Sequence, residues 1–394
     1  MKYRLNWISL ASLLLILLAA APAFAATVAV GTCMPGRVSY DNLTDAVQGV
    51  PAGSTILVCP GSYAEQIVIN RSLTLRGVTN GNSGYPVLVP PAGGMAANAT
   101  GLNVFSFFGA GTQFAAQIVV QGGVDVTING IALDATGYNL PTCNPTVVGV
   151  LIQDSSASLT GVAIKNQLET GAPPCPSVGA GAGVLAQNDT GLALAVKVQN
   201  STFVNAGQAF ESDGAGNTTT LANNSFAGNP VSNANAISIL NGNSTIQGNS
   251  INNFNYPPAG GNINAAAYGV FIECVPGGTV ANNNIGNTQV GIYMYNGCPT
   301  SAVSVTGNKV SDASLIGIDE GGINGLVQGN DIRTTQTAIR LPGGASGNTI
   351  QNNSINDTCA AFGANPAAGT NTLLSNSVFN AINLAIVNTT ALCP

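Results

Sequence analysis

Val280-Ala-Asn-Asn283-Asn-Ile285, Val305-Thr-Gly-Asn308-Lys-Val310, Val327-Gln-Gly-Asn330-Asp-Ile332, Ile350-Gln-Asn-Asn353-Ser-Ile355 and Leu373-Leu-Ser-Asn376-Ser-Val378 are five copies of one pattern. An apolar residue is followed five positions later by another, with Asn two before the second. The Asn spacings are 25, 22, 23 and 23 residues. Earlier copies run from Leu221 to Phe226 with Asn224, from Ile246 to Ile251 with Asn249, and from Val126 to Ile131 with Asn129. Two copies between them carry Val162 and Ser201 in the Asn slot. A fixed period in the low twenties is the signature of a solenoid, in which each repeat is stabilised only by its neighbours.

A second motif alternates with the first. It is a small residue followed by apolar residues at every other position: Gly149-Val-Leu-Ile152, Gly183-Val-Leu-Ala186, Ala209-Phe-Glu-Ser212, Ala236-Ile-Ser-Ile239, Gly269-Val-Phe-Ile272, Gly291-Ile-Tyr-Met294, Gly317-Ile-Asp-Glu320 and Ala338-Ile-Arg-Leu341. Leucine-rich repeats share the period, but they need dense Leu and a helical half. Here Ile and Val recur at period two, which is strand patterning, and Gly, Asn and Ser interrupt every segment before a helix can form. Three short strands joined by turns fill such a repeat. The expectation is an all-β fold, a single-stranded right-handed parallel β-helix of about ten to twelve coils stacked about 4.8 Å apart. Its domain covers residues 26–394, with 26–60 as N-terminal cap and first strand and 355–394 as the last coils and cap. Stacked Asn129, Asn224, Asn249, Asn283, Asn308, Asn330, Asn353 and Asn376 would bond to one another inside a tight turn, a structural role with no chemistry.

Residues 1–25 read as a secretory signal peptide: Lys2 and Arg4, an apolar run from Ile8 to Ala21, and the small-x-small site Ala23-Phe24-Ala25. The mature chain is then expected to be secreted or periplasmic, without a membrane span, and monomeric. Removing Lys2 and Arg4 leaves eight basic residues against sixteen acidic ones, a poor balance for gripping nucleic-acid phosphates. Charge is scarce at 7%, so polar surface must come from Asn, Ser, Thr and Gln, which suit hydroxylated partners. The chain has no His, which removes a Ser-His-Asp triad, a histidine base and histidine metal sites. No cluster of three or more carboxylates supports a Ca²⁺ site, and no cofactor is evident. The eight cysteines are Cys33, Cys59, Cys143, Cys175, Cys274, Cys298, Cys359 and Cys393. An even number behind a signal peptide suggests disulfides, with pairing between sequence neighbours expected to staple adjacent coils and both ends.

The repeats and the Asn ladder resemble the pectin-lyase-like superfamily of right-handed parallel β-helices. The stretch Leu43-Thr-Asp-Ala-Val47, Pro51-Ala-Gly-Ser-Thr-Ile-Leu-Val58, Pro60-Gly-Ser-Tyr-Ala-Glu65, Ser72-Leu-Thr-Leu-Arg-Gly77 is similar to the opening of pectin methylesterases. There a short helix caps the coil stack. Physically an end coil has an unpaired edge that something must cover, and residues 41–49 place Leu43, Ala46 and Val47 on one helical face. The family's activity motifs depart. Polygalacturonases carry an essential His, mannuronan epimerases Asp-Pro-His-Asp, and pectin methylesterases three motifs of which only fragments stand here.

In the superfamily, catalytic residues come from an outward strip of the coils. With Val270 and Ile272 pointing inward, position three of the second motif points outward. That column reads Leu151, Leu185, Glu211, Ser238, Phe271, Tyr293, Asp319, Arg340, with Asp213, Glu273 and Tyr295 beside it. One reading is a sugar site, with Phe271, Tyr293 and Tyr295 stacking on pyranose rings and Asp319, Arg340 and Glu273 acting on the chain. Glu211 and Asp213, about 7 Å apart at the rise per residue, are an alternative carboxylate pair for hydrolysis. The other reading is plain sheet chemistry, an Asp319–Arg340 ion pair and aromatic cross-strand contacts. The loop Phe254 to Gly261 stands ready to wall one side. Two function classes follow: a secreted polysaccharide-binding or polysaccharide-modifying β-helix, lyase- or hydrolase-like in the second case, or a non-catalytic adhesin-like rod displaying loops.

Overall fold

The computed structural model describes residues 24–386, apart from 80–83, 141–144, 170–180, 230–233, 257–262, 264–265, 296 and 298–299. It is a right-handed parallel β-helix, as the repeats require. The first strands of the coils form a 14-stranded sheet, and the second and third strands of all coils merge into a 23-stranded sheet. Twelve consecutive rungs of the first sheet run in chain order from Ser54–Val58 to Thr372–Leu374. The merging occurs because Asn284–Met294 and Lys309–Glu320 run unbroken through the corner between second and third strand.

Inward side chains fill a continuous core. Val270, Ile272, Ile292, Met294, Ile318 and Ile339 belong to it, and Phe203 stacks on Phe226 with ring centroids 4.7 Å apart. The bend between first and second strand is a one-residue left-handed step, at Asn223, Gly248, Asn282, Gly307, Gly329 and Asn352 in turn. Gly and Asn tolerate that conformation best. The next residue in every case is the ladder Asn. Asn308 is fully buried and shows the full bonding: its Nδ2 donates to Val280 O at 2.8 Å and to Asn330 Oδ1 at 3.0 Å. Its Oδ1 accepts from the backbone N–H of Asn283 at 3.0 Å and from Asn283 Nδ2 at 2.9 Å. The chain of bonds runs without a break from Asn224 to Asn376.

Asn129 is not part of it. Register pairs Ile128 with Leu159, so the ladder slot of that coil falls on Ile131, which is buried, and Asn129 lies beside Arg76 and Thr160. The six-residue pattern matched two residues out of phase because Val126 and Ile128 are both apolar and both inward.

The cap follows the expectation. The helix Leu43–Gly49 buries Leu43, Ala46 and Val47 over the first coil, with Asn42 as its N-cap. Glu65 closes the helix start from below, accepting from the Leu43 and Thr44 N–H groups at 2.9 and 2.8 Å and from the Thr44 hydroxyl at 2.6 Å. Carboxylate oxygens there satisfy N–H groups that a helix leaves open. Cys33 pairs with Cys59 as expected. Cys274 and Cys359 are also disulfide-bonded; Cys143, Cys175, Cys298 and Cys393 lie outside the described residues, as does most of the signal segment.

Replacing Asn308 by Ala leaves the buried Asn283 N–H and side-chain amide without the Asn308 acceptor and removes the amide that joins Val280 O to Asn330. The loss should be on the order of 2–4 kcal/mol, seen as a lower urea midpoint. Asn129→Ala should shift the midpoint by less than about 0.5 kcal/mol. Equal effects would show that the ladder does not carry the corner.

Candidate functional site

The outward column assembles as the repeat implied. Backbone pairing joins Leu151 to Leu185, Glu211, Ser238, Phe271, Tyr293, Asp319 and Arg340 in one unbroken row. Asp213 aligns with Leu240 and then Glu273 in the neighbouring row.

The column is not an open groove, however. Phe271 and Tyr293 are each only 5% exposed, and Glu211, Asp213 and Asp319 are fully buried. Two things cover them. The rings cover one another: Tyr268, which the sequence reading passed over, packs 5.4 Å from Phe271 and 5.2 Å from Tyr293, and half-buried Tyr295 lies 5.7 Å from Tyr293. A loop covers the rest. Between Gly101 and Thr112 the chain leaves the stack, pinched at its neck by Gly101 N–H donating to Thr112 O and Gly111 N–H donating to Gly101 O. It lies over the column and bonds to it at successive rungs. Gln153 Nε2 donates to Thr100 O at 2.7 Å, Leu102 N–H donates to Gln187 Oε1 at 3.1 Å, and Gln187 Nε2 donates to Phe108 O at 3.2 Å. At the tip, Ser106 Oγ and Phe107 N–H both donate to Glu211 Oε1, at 2.9 and 3.0 Å. The Phe107 ring sits 5.5 Å from that of Phe271 while staying 47% exposed. The sequence signal for this cover was Phe105-Ser-Phe107-Phe108 in a Gly-bounded insertion, a cluster of rings with no inward strand slot to fill.

Beneath the tip, Glu211 and Asp213 form a hydrogen-bonded carboxyl pair. Ser106 is shared between them, donating to Glu211 Oε1 and lying within reach of Asp213, and the two carboxyls bond to each other, which needs a proton between them. Burial raises both groups well above the usual carboxylate range, and the Glu211 charge raises Asp213 further. With the loop in place they are in contact, not spaced about a water. Burial also lifts Glu273 to about 7.

Asp319 and Arg340 form the cross-strand ion pair of the plainer reading. Arg340 Nε donates to one Asp319 oxygen at 3.0 Å and Nη2 to the other. The guanidinium is thereby committed, with its side chain 17% exposed. Phe254, expected in a wall, is fully buried in the core, because its strand continues the inward row. Glu320 occupies an inward slot above Met294 and is fully buried; its Oε1 accepts from Gly322 N–H at 3.1 Å, and burial lifts its carboxyl to about 8. Among the described residues no group of three or more Cys, Asp or Glu is placed to hold a metal ion, and no helix is long and apolar enough to cross a membrane.

Comparison with known proteins gives the fold independent support. Residues 148–322 match the right-handed β-helix region family, and residues 255–392 match the periplasmic copper-binding protein (NosD) family. A search of curated proteins by sequence finds no match. Among solved structures, DFA-IIIase from Arthrobacter chlorophenolicus A6 superposes with a TM-score of 0.53 at 15% identity, covering 89% of this chain and 98% of that one. The A-module of mannuronan C-5 epimerase AlgE4 from Azotobacter vinelandii gives a TM-score of 0.51 at 13% identity, over 88% and 91%. At these identities the likeness is one of architecture, and it agrees with the pectin-lyase-like resemblance.

The raised carboxyls fix a pH dependence. In the folded chain Glu320, Glu273 and the Glu211–Asp213 pair keep protons that the unfolded chain releases near 4.5 for Glu and 3.8 for Asp. Their contribution to stability is complete below about pH 4.5 and is lost as pH rises to about 8. Melting temperature should therefore fall between pH 5 and 8, and Glu320→Gln should flatten part of that fall. A melting temperature that climbs with pH over this range would contradict the assignment.

Proposed function

We propose that this is a secreted or periplasmic β-helix protein that binds polysaccharide along the Glu211–Arg340 column, with the 101–112 loop as a lid that must lift for entry. The observation that carries the reading is the column itself. A charge-poor chain has gathered three aromatic rings and four carboxyl groups on one outer row and its neighbour, where a rod needs only indifferent polar residues. Aromatic faces beside polar acceptors are the usual equipment for a sugar chain. The lid's contacts suit a temporary cover. Ser106 and Phe107 N–H give Glu211 the donors that sugar hydroxyls would supply, and the Phe107 ring takes the place of a pyranose on Phe271.

With no His in the chain, the carboxyl groups are the leading acid–base candidates on this face. With the lid raised, Glu211 and Asp213 become the acid and base candidates, one protonated and one free, as acid–base cleavage of a glycosidic bond demands. Glu273 stands at the edge of the same face. Asp319 and Arg340 are paired and act as a fixed wall, not as reacting groups.

The test is a panel of soluble polysaccharides probed for binding and for new reducing ends. Tyr295→Ala, at a half-buried ring that the core does not need, should weaken binding by roughly tenfold. Ser106→Ala with Phe107→Ala should tighten it several-fold, because the lid competes less. Binding without new reducing ends would place the protein with non-catalytic adhesin-like rods. No binding to any member would sink the glycan reading.

A further inference from the structure

If the column is where glycan binds, its charge decides which glycans fit. The chain beyond the signal segment has eight basic residues, and seven stand elsewhere. Arg37 and Arg71 lie near the capped end, where Arg71 Nη1 donates to Val50 O. Arg76 and Lys197 are on the first-strand sheet. Lys165, Lys309 and Arg333 lie in the second-strand row, two of them paired with Asp134 and Asp331. Only Arg340 belongs to the column, and its Nε/Nη2 edge rests on Asp319, whose charge offsets its own.

A uronate carboxylate entering this face would shed its water beside Glu211, Asp213 and Glu273 with no free cation to meet it. An unpaired charge moved into such a place is costly, and costlier beside whichever of these carboxyls is ionised. A neutral hydroxyl has the opposite fit. Glu211 Oε2 and the Asp213 oxygens are buried and bonded only to one another and to Ser106 of the loop, so with the loop raised they have lone pairs to offer an O–H. Axial C–H faces of a neutral ring match the side of Phe271 on which Phe107 now rests and the part-exposed Tyr295 ring.

We infer, resting on the glycan-site reading, that the column takes neutral, hydroxyl-rich polysaccharides and excludes uronate polymers, because its single guanidinium is committed to Asp319 and its remaining polar groups are carboxyl acceptors. The full mature protein is titrated at pH 7 with an unsubstituted glucan, xylan, galactan and fructan, and with polygalacturonate and alginate, in EDTA and again with added calcium. At least one neutral polymer should bind, and both uronate polymers should bind at least about tenfold more weakly. Uronate binding as tight as neutral binding, with or without calcium, overturns the inference and leaves the glycan site standing. No binding to any polymer overturns both. Two variants probe the cause. Asp319→Asn frees the guanidinium, and Glu273→Lys adds a cation at the edge of the column should the first variant fold poorly. Each should gain at least several-fold in uronate binding, and uronate binding unmoved in both would overturn the charge explanation.

Discussion

The register between neighbouring rungs is the constraint on which everything else rests. A parallel stack has no hairpins to set its alignment, and a slip of one residue would turn every inward side chain outward. The buried Asn ladder prevents that slip. Each amide is bonded to the amide of the next coil and to the carbonyl of the preceding coil, as Asn308 is to Asn330 and Val280. A shifted coil would leave several buried polar groups unpaired at once. Because the ladder holds position rung by rung, residues 21 to 34 apart in sequence become lateral neighbours, and a column of side chains becomes a surface.

That logic made most of the architecture legible. The alternation of Val270 and Ile272 with Phe271 gave the outward row, and the pairing from Leu151 to Arg340 reproduces it residue by residue. The cap helix was legible from three apolar positions on one face, and the Cys33–Cys59 staple from its place across that cap. Asn129 was misread because a period-two strand offers two equivalent starting points for a six-residue pattern. Only the rung above, where Leu159 sits over Ile128, decides between them.

What sequence periodicity does not carry is the behaviour of an insertion. The strand pattern says that Phe271, Tyr293 and Asp319 point away from the core; it says nothing about whether water reaches them. Their burial comes from the 101–112 loop, which starts at the Gln113–Val120 rung and reaches the Tyr268–Glu273 rung, and from the rings themselves. Contacts of that kind are long-range in sequence and obey no repeat. The same holds for Glu211 and Asp213. Two acidic residues at i and i+2 on an outer row would ordinarily be solvated and ionised, and only the lid makes them a proton-sharing pair.

The cover also answers a physical problem that the column creates. A row of aromatic rings along a flat parallel sheet is an invitation to self-association. Folding Phe107 down onto Phe271 hides that row, while Ser106 and a backbone N–H stabilise a carboxyl pair that would otherwise be buried with too few donors. Such a cover has a consequence for any ligand. If a glycan binds where we propose, the loop has to lift first, and the measured affinity is then the intrinsic affinity multiplied by the fraction of molecules with the loop raised. The loop is held on the column by two hydrogen bonds to Glu211, two with Gln187 and the Phe107 ring on Phe271. Under the proposed reading, a long polymer that grips several rungs together could offset the loss of these contacts, whereas a fragment touching one rung could not.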